Sequence, residues 1–122
     1  KVIAKGTSFA SAELQRAAFD GADLSYASFE KADLSRASFD EAILSGASFT
    51  YANLSRADLS KARIEGTIGL DKAFMLLTRI EGLDLSRATG LDQSQIDIAC
   101  GNGETRLPTG LATPASWPCP KD

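Results

Sequence analysis

Residues 7–66 read, five at a time, TSFAS (7–11), AELQR (12–16), AAFDG (17–21), ADLSY (22–26), ASFEK (27–31), ADLSR (32–36), ASFDE (37–41), AILSG (42–46), ASFTY (47–51), ANLSR (52–56), ADLSK (57–61) and ARIEG (62–66). These twelve pentads run without a gap; the third residue is always Phe, Leu or Ile, and the first is Ala in all but one. A helix of 3.6 residues per turn would spread a strict five-residue period around its whole surface, and a half-buried strand needs a period of two. A period of five instead suits a chain that turns a corner every pentad, with the large third side chain and the small first one both pointing inward. Four pentads then close one square coil of twenty residues.

Working outward from that period, the third residue alternates through Phe9, Leu14, Phe19, Leu24, Phe29, Leu34, Phe39, Leu44, Phe49 and Leu54. With four sides, the alternation sends phenylalanines to two opposite sides. Phe9, Phe29 and Phe49 are expected to stack as one ladder and Phe19 with Phe39 as another, at the ~4.8 Å spacing of neighbouring strands. All ten side chains read as core. Stacked coils would also pair their backbone groups with the coils above and below, which a thin core requires.

The pentads ADLSY, ADLSR, ANLSR and ADLSK carry the signature A-[DN]-L-x-x, and through them the chain resembles the pentapeptide-repeat family over about half its length. The resemblance implies an all-β solenoid, a right-handed quadrilateral β-helix of about five coils, and a structural or protein-interaction role without catalysis. It also implies an alternative, because well-understood members resemble double-stranded DNA in shape and negative charge and bind DNA gyrase, giving quinolone resistance. Residues 7–66 weigh against that imitation, carrying nine acids (Glu13, Asp20, Asp23, Glu30, Asp33, Asp40, Glu41, Asp58, Glu65) and six bases (Arg16, Lys31, Arg36, Arg56, Lys61, Arg63). Five coils would also be only ~25 Å long.

After Gly66 the frame slips. ARIEG begins at Ala62 and the similar TRIEG at Thr78, one residue more than three pentads apart, so an irregular insertion is expected over 67–77. Gly69-Leu70-Asp71 before KAFMLL and Gly90-Leu91-Asp92 before QSQIDIAC both read as helix starts, since Asp can accept from the free amides of a first turn. The second is better formed. Gln95 lies three residues after Asp92, as a capping box requires, and Gly101 is placed to end a helix over Asp92–Cys100. The division expected is a solenoid over 1–88 and, over 89–122, a helix that caps the last coil plus an ordered irregular tail. Unpaired coil edges attract other chains, so a terminal cap has a physical purpose. The N-terminal VIAKG is a degraded pentad without a cap, which points to a monomer or a weak dimer through that end.

The tail contains all four prolines, yet Leu107, Leu111 and Trp117 are spaced as anchors on the solenoid. Cys100 and Cys119, the two cysteines, are natural partners for a disulfide closing about twenty residues, worth ~3 kcal/mol. Such a bridge favours an extracytoplasmic compartment, periplasm or lumen; without it the cytoplasm is the default. Lys1 as first residue leaves a removed leader open.

Composition narrows function further. Histidine is absent, which removes the usual general base and the commonest metal ligand. The cysteines lack the spacing of a redox pair and the partners of a zinc site, so no catalytic residue, metal or cofactor is expected. A net charge of −3 from thirteen bases and sixteen acids gives no footprint for nucleic acid, and no apolar run approaches the ~20 residues of a membrane span. An unidentified protein is therefore the expected partner. Among outward positions, the four-sided path aligns Arg16, Arg36 and Arg56, one guanidinium per coil, beside Glu13, Asp33 and Asn53. Two readings of this stripe follow: mutual screening of neighbouring charges, or a binding stripe for an acidic or anionic partner. Asp20 and Asp40 align on the next side, and Ser8, Ser28 and Ser48 on the preceding one; no base accompanies the serines to make them nucleophiles.

Overall fold

The computed structural model describes residues 3–120. Its repeating unit follows from one question, namely where each of five backbone N–H groups per pentad finds an acceptor. In the pentad 32–36, Ala32 N closes a turn on Phe29 O at 3.0 Å, and Asp33 N donates back one coil to Ala12 O at 2.9 Å. Leu34 N and Arg36 N donate forward one coil, to Asn53 O and Ser55 O, at 2.8 and 2.9 Å. Only the fourth amide, Ser35 N, has no neighbouring backbone acceptor, and the Asp33 carboxylate of the same pentad takes it at 3.1 Å. The same internal bond joins Asp23 to Ser25, Asn53 to Ser55, Asp58 to Ser60 and Asp84 to Ser86. A-[DN]-L-S is thus a solution to backbone accounting.

Each pentad turns between its third residue and the first of the next. At most pentads the fifth residue holds a positive φ, as at Arg16, Tyr26, Lys31, Arg36, Glu41, Tyr51 and Arg56, all within 57–61°. That is the second central position of a turn of the type II class, usually given to glycine. With a corner so frequent, only the second residue of each pentad is left to bridge between coils. The bridges are parallel and twenty residues apart: Ile3 to Asp23 to Ile43 to Arg63, Ser8 to Ser28 to Ser48, Glu13 to Asp33 to Asn53, and Ala18 to Ser38 to Asp58. The sides are therefore single bridges rather than extended strands, and the chain is a solenoid with a twenty-residue turn.

Inside, Leu24, Phe29, Leu34, Phe39, Leu44, Phe49 and Leu54 are wholly buried, and the first-position alanines from Ala22 to Ala57 are buried beside them. Phe9 stacks on Phe29 and Phe29 on Phe49 at 5.0 Å, nearly parallel, while Phe19 stacks on Phe39 at 5.3 Å. The two ladders meet edge to face at 5.7–6.1 Å. In the first coil Phe9, Leu14 and Phe19 are only partly buried, because no coil covers them.

Two expectations beyond Gly66 require correction. Residues 67–77 are not an irregular insertion, since bridging resumes at once from Ser48 to Gly69, Asn53 to Phe74 and Asp58 to Arg79, now twenty-one residues apart. The extra residue lies at the corner between Arg63 and Gly69, where it lengthens a turn without disturbing the stack. Nor does Asp71 start a helix. AFMLL (73–77) is another pentad, with Ala73 and Met75 buried and Phe74 N bonded to Ala52 O. Helix-favouring residues here yield to a ladder of acceptors already offered by the coil below.

The helix after Asp92, α1, spans Gln93–Ile98 and does not reach Cys100. Its capping box is present in both directions, Gln95 N to Asp92 Oδ1 at 3.0 Å and Asp92 N to Gln95 Oε1 at 2.8 Å. Buried Gln95 also donates from Nε2 to the carbonyl of Leu70, which already accepts the turn bond from Ala73 N, and to the carbonyl of Ala73. Gly101 does not terminate the helix; Ala99 does. At Gly101 a Cβ would collide with the Trp117 ring, so glycine there makes room for the indole. The tail differs from the irregular segment expected, because Cys100 bridges to Arg79 and Arg106 to Asp84, continuing the stack for part of another coil.

Two outcomes are expected from this architecture. Phe39→Ala should cost about 3–5 kcal/mol in denaturant unfolding, since the ring fills a core one residue wide on each side; a cost under 1 kcal/mol would contradict the ladder. The second concerns acid. Hydrogen bonds depress three carboxyls below their ordinary 3.8: Asp33 through the Ser35 amide, Asp84 through the Ser86 hydroxyl, and Asp92 through the Ser94 hydroxyl. A depressed folded value means that each carboxylate favours the fold above pH 3.8 and loses that contribution as pH falls through the lower folded value. Replacing all three by Asn, which keeps the Oδ1 acceptor, should flatten the acid limb of a plot of melting temperature against pH. Superimposable acid limbs would refute it.

Candidate interaction surface

The fifth position of the pentad projects outward from a corner, and one column of such corners holds Arg16, Arg36 and Arg56, at φ 61°, 61° and 60°. All three are exposed. Coil spacing is set by the ladders beneath, 5.0 Å between stacked rings, so the guanidinium stems rise in near-equal steps. Of the two readings of this stripe, mutual screening by ion pairs is not what the side chains do. Among the described residues the ion pair within 4.0 Å is Arg79 with Glu81, and none of the three arginines donates a side-chain hydrogen bond.

The reason lies in the neighbouring column. Asp33 accepts from Ser35 N with one oxygen and from Gln15 Nε2 with the other, at 2.9 Å, and the Asn53 side chain accepts from Ser55 N at 3.0 Å. Asp33 is thereby engaged by the Ser35 amide and Gln15, while Glu13 makes no ion pair with an arginine among the described residues. On the next side Asp20 accepts from Ser38 Oγ at 2.8 Å. The serine column bridges coil to coil, and Ser48 Oγ shares a hydrogen bond with Thr50, with no base nearby. No cluster of His, Cys, Asp or Glu fit to hold a metal occurs among the described residues, and no helix is long and apolar enough to cross a membrane.

Following the arginine side one coil further leads to AFMLL. Phe74 lies over Asn53, and Leu76 O accepts from Arg56 N. Phe74 is 49% exposed, Leu76 37% and Ile98, on α1 above, 38%. Tyr51, Phe74 and Ile98 line one shallow depression, and Arg56 lines another with Leu77 and the cysteines. This apolar end of the stripe escaped sequence reading. Framing 73–77 as a pentad, with Met75 third, would have placed Phe74 and Leu76 at outward positions.

The cysteines expected to pair are joined, Cys100 to Cys119, with Cα atoms 5.5 Å apart. Trp117 packs on the core cluster and donates from Nε1 to Ala99 O at 2.8 Å, while Ala112 and Gln93 exchange two hydrogen bonds, tying the tail to α1.

Comparison with known proteins bears on this surface and its scaffold. A family profile described as Pentapeptide repeats matches residues 5–40 and 27–66, with eight copies in all. No curated protein sequence matches the chain. Among solved structures it is similar to HetL, a pentapeptide repeat protein involved in heterocyst differentiation regulation from the cyanobacterium Nostoc sp. strain PCC 7120. Identity is 27% over 88% of this chain and 41% of that one, with a TM-score of 0.53. A pentapeptide repeat protein from the Arabidopsis thaliana thylakoid lumen is 28% identical over 81% of this chain and 63% of that one, with a TM-score of 0.34. The chain therefore spans less than two thirds of either protein's length. The similarity to HetL makes the solenoid a right-handed β-helix.

Proposed function

We propose, given that this chain belongs to the pentapeptide-repeat family, that it is a non-enzymatic interaction module whose binding face is the column Arg16, Arg36 and Arg56. One observation carries this reading: three exposed guanidiniums stand in line, one per coil, with no carboxylate in ion-pair distance of them among the described residues. Guanidiniums in a row suit carboxylates and phosphates, and leaving them solvated keeps the full interaction for a partner. In this reading the body is a quadrilateral of about five coils. Helix α1 and the tail cover its C-terminal end, which the Gln95 bonds to Leu70 and Ala73 support. At the N-terminal end the half-covered Phe9 and Phe19 fit a monomer with weak self-association. The Cys100–Cys119 bridge supports an oxidising compartment.

Imitation of DNA is the lesser reading, since a duplex surrogate needs a continuous negative surface and the arginine column interrupts it. Binding of an acidic partner is tested with fluorescein-labelled polyglutamate by anisotropy. Exposed pairs contribute ~0.2–1 kcal/mol each, so replacing all three arginines by Gln should weaken binding roughly threefold to a hundredfold. Affinity of the parent should also fall as salt rises through ~0.15 M and the Debye length shortens to ~8 Å. The triple variant should melt close to the parent, because none of the three arginines makes an ion pair to lose. Binding indifferent to both salt and substitution would place the functional face elsewhere.

A further inference from the structure

The arginine column ends in an apolar surface that the fold does not require. In the pentad below, Asn53 supplies the acceptor for the Ser55 amide. In AFMLL the corresponding residues are Phe74 and Leu76, and the Leu76 amide has no acceptor among the described residues. The pentad thus forgoes the bond used directly below it, as AELQR, AAFDG and AILSG also do, but it alone of these places two large apolar side chains in solvent, Phe74 and Leu76. Ile98 of α1 and Tyr51 extend the patch, Tyr51 being 60% exposed.

We infer that this side binds an amphipathic acidic helix, its carboxylates on the arginines and its bulky apolar residues on Phe74, Leu76 and Ile98. The inference rests on the arginine column being the binding face. Spacing selects a helix over a strand. Rings stacked on successive coils lie 5.0–5.3 Å apart, and successive turns of a helix rise ~5.4 Å, so two steps accumulate an error of at most about 0.8 Å. Same-face residues of a strand lie ~6.7 Å apart, and the error reaches about 3.4 Å. The width matches too: the side from its second to its fifth position spans ~10 Å, close to the ~10–12 Å diameter of a helix with its side chains. Charge selects an ordered partner over a diffuse polyanion, because Glu13 and Asp33 flank the arginines and repel acid displaced from the stripe. A nucleic acid or polyphosphate offers nothing to the apolar end.

Phe74→Asn with Leu76→Ser gives a clean test, since it rebuilds the pentad on the Asn53–Ser55 plan and should fold as well as the parent. Two fluorescein-labelled helical peptides are compared by anisotropy: one with glutamates at i, i+4 and i+7 followed by Phe and Leu one turn on, the other with those two residues replaced by Ser. The first should bind the parent about tenfold more tightly than the second, a difference of ~1.4 kcal/mol. The Asn/Ser variant should abolish that advantage while binding the serine peptide unchanged. Equal binding of the two peptides, or an advantage that survives in the variant, overturns this inference while leaving the stripe intact if the arginine-to-Gln protein still binds both weakly. Failure of both peptides to bind, or indifference to the arginine substitutions, overturns the stripe and this inference together.

Discussion

One amide in every five cannot be reached by the backbone of a neighbouring coil, and the pentad is built around that amide. Four N–H groups are satisfied by geometry alone, two forward, one back and one across the turn. Where the second residue is Asp or Asn, as at Asp23, Asp33, Asn53, Asp58 and Asp84, its side chain reaches the fourth residue's amide within the pentad, and at Glu65 the acceptor is Ser45 Oγ of the neighbouring coil. A half-buried amide left without an acceptor costs ~1–3 kcal/mol, which the Asp or Asn pentads avoid, whereas exposed fourth residues such as Gln15 and Asp20 do without the internal bond. Once the second position is committed to that task, the third must carry the core, the first must be small, and the fifth must accept a left-handed turn.

That division of labour explains how much could be read from the sequence. The period, the ladders of Phe and Leu, the Asp92–Gln95 box and the cysteine pairing were visible because each depends on residue type at a fixed spacing. What was missed shares a cause. The KAFMLL segment has the composition of a helix, and only the coil beneath, offering Ala52 O and receiving Phe74 N, decides against it. A lengthened corner near Gly66 looks like an insertion in a linear reading, whereas in three dimensions it leaves the columns in register. The bridges made by Cys100 and Arg106 lie in a stretch without repeat character and depend wholly on the preceding coil as template. The arginine column could be placed from the period, but its lack of ion pairs could not, because it follows from where Asp33 turns its oxygens.

The surface is what the backbone leaves over. The Asp33 carboxylate is occupied by the Ser35 amide and Gln15, and among the described residues no carboxylate lies within ion-pair distance of Arg16, Arg36 or Arg56. Left-handed corners ordinarily favour glycine, and a non-glycine residue held there costs on the order of 1 kcal/mol or more. Arg16, Arg36 and Arg56 occupy that position despite the cost, as Phe74 and Leu76 occupy positions that Asn and Ser fill elsewhere. Non-glycine residues hold left-handed corners on every side, at Tyr26, Lys31, Glu41 and Tyr51 as well, so what distinguishes the arginine side is the pair Phe74 and Leu76.

Because each coil bonds only to the coils beside it, the twenty-residue turn behaves as a graduated rule. Duplicating or deleting one turn would lengthen or shorten the protein by a single ~5 Å mark and change every column by one side chain, without redesigning the core. Valency, and hence the length of partner that can be engaged, is then set by a count of turns rather than by the shape of any pocket.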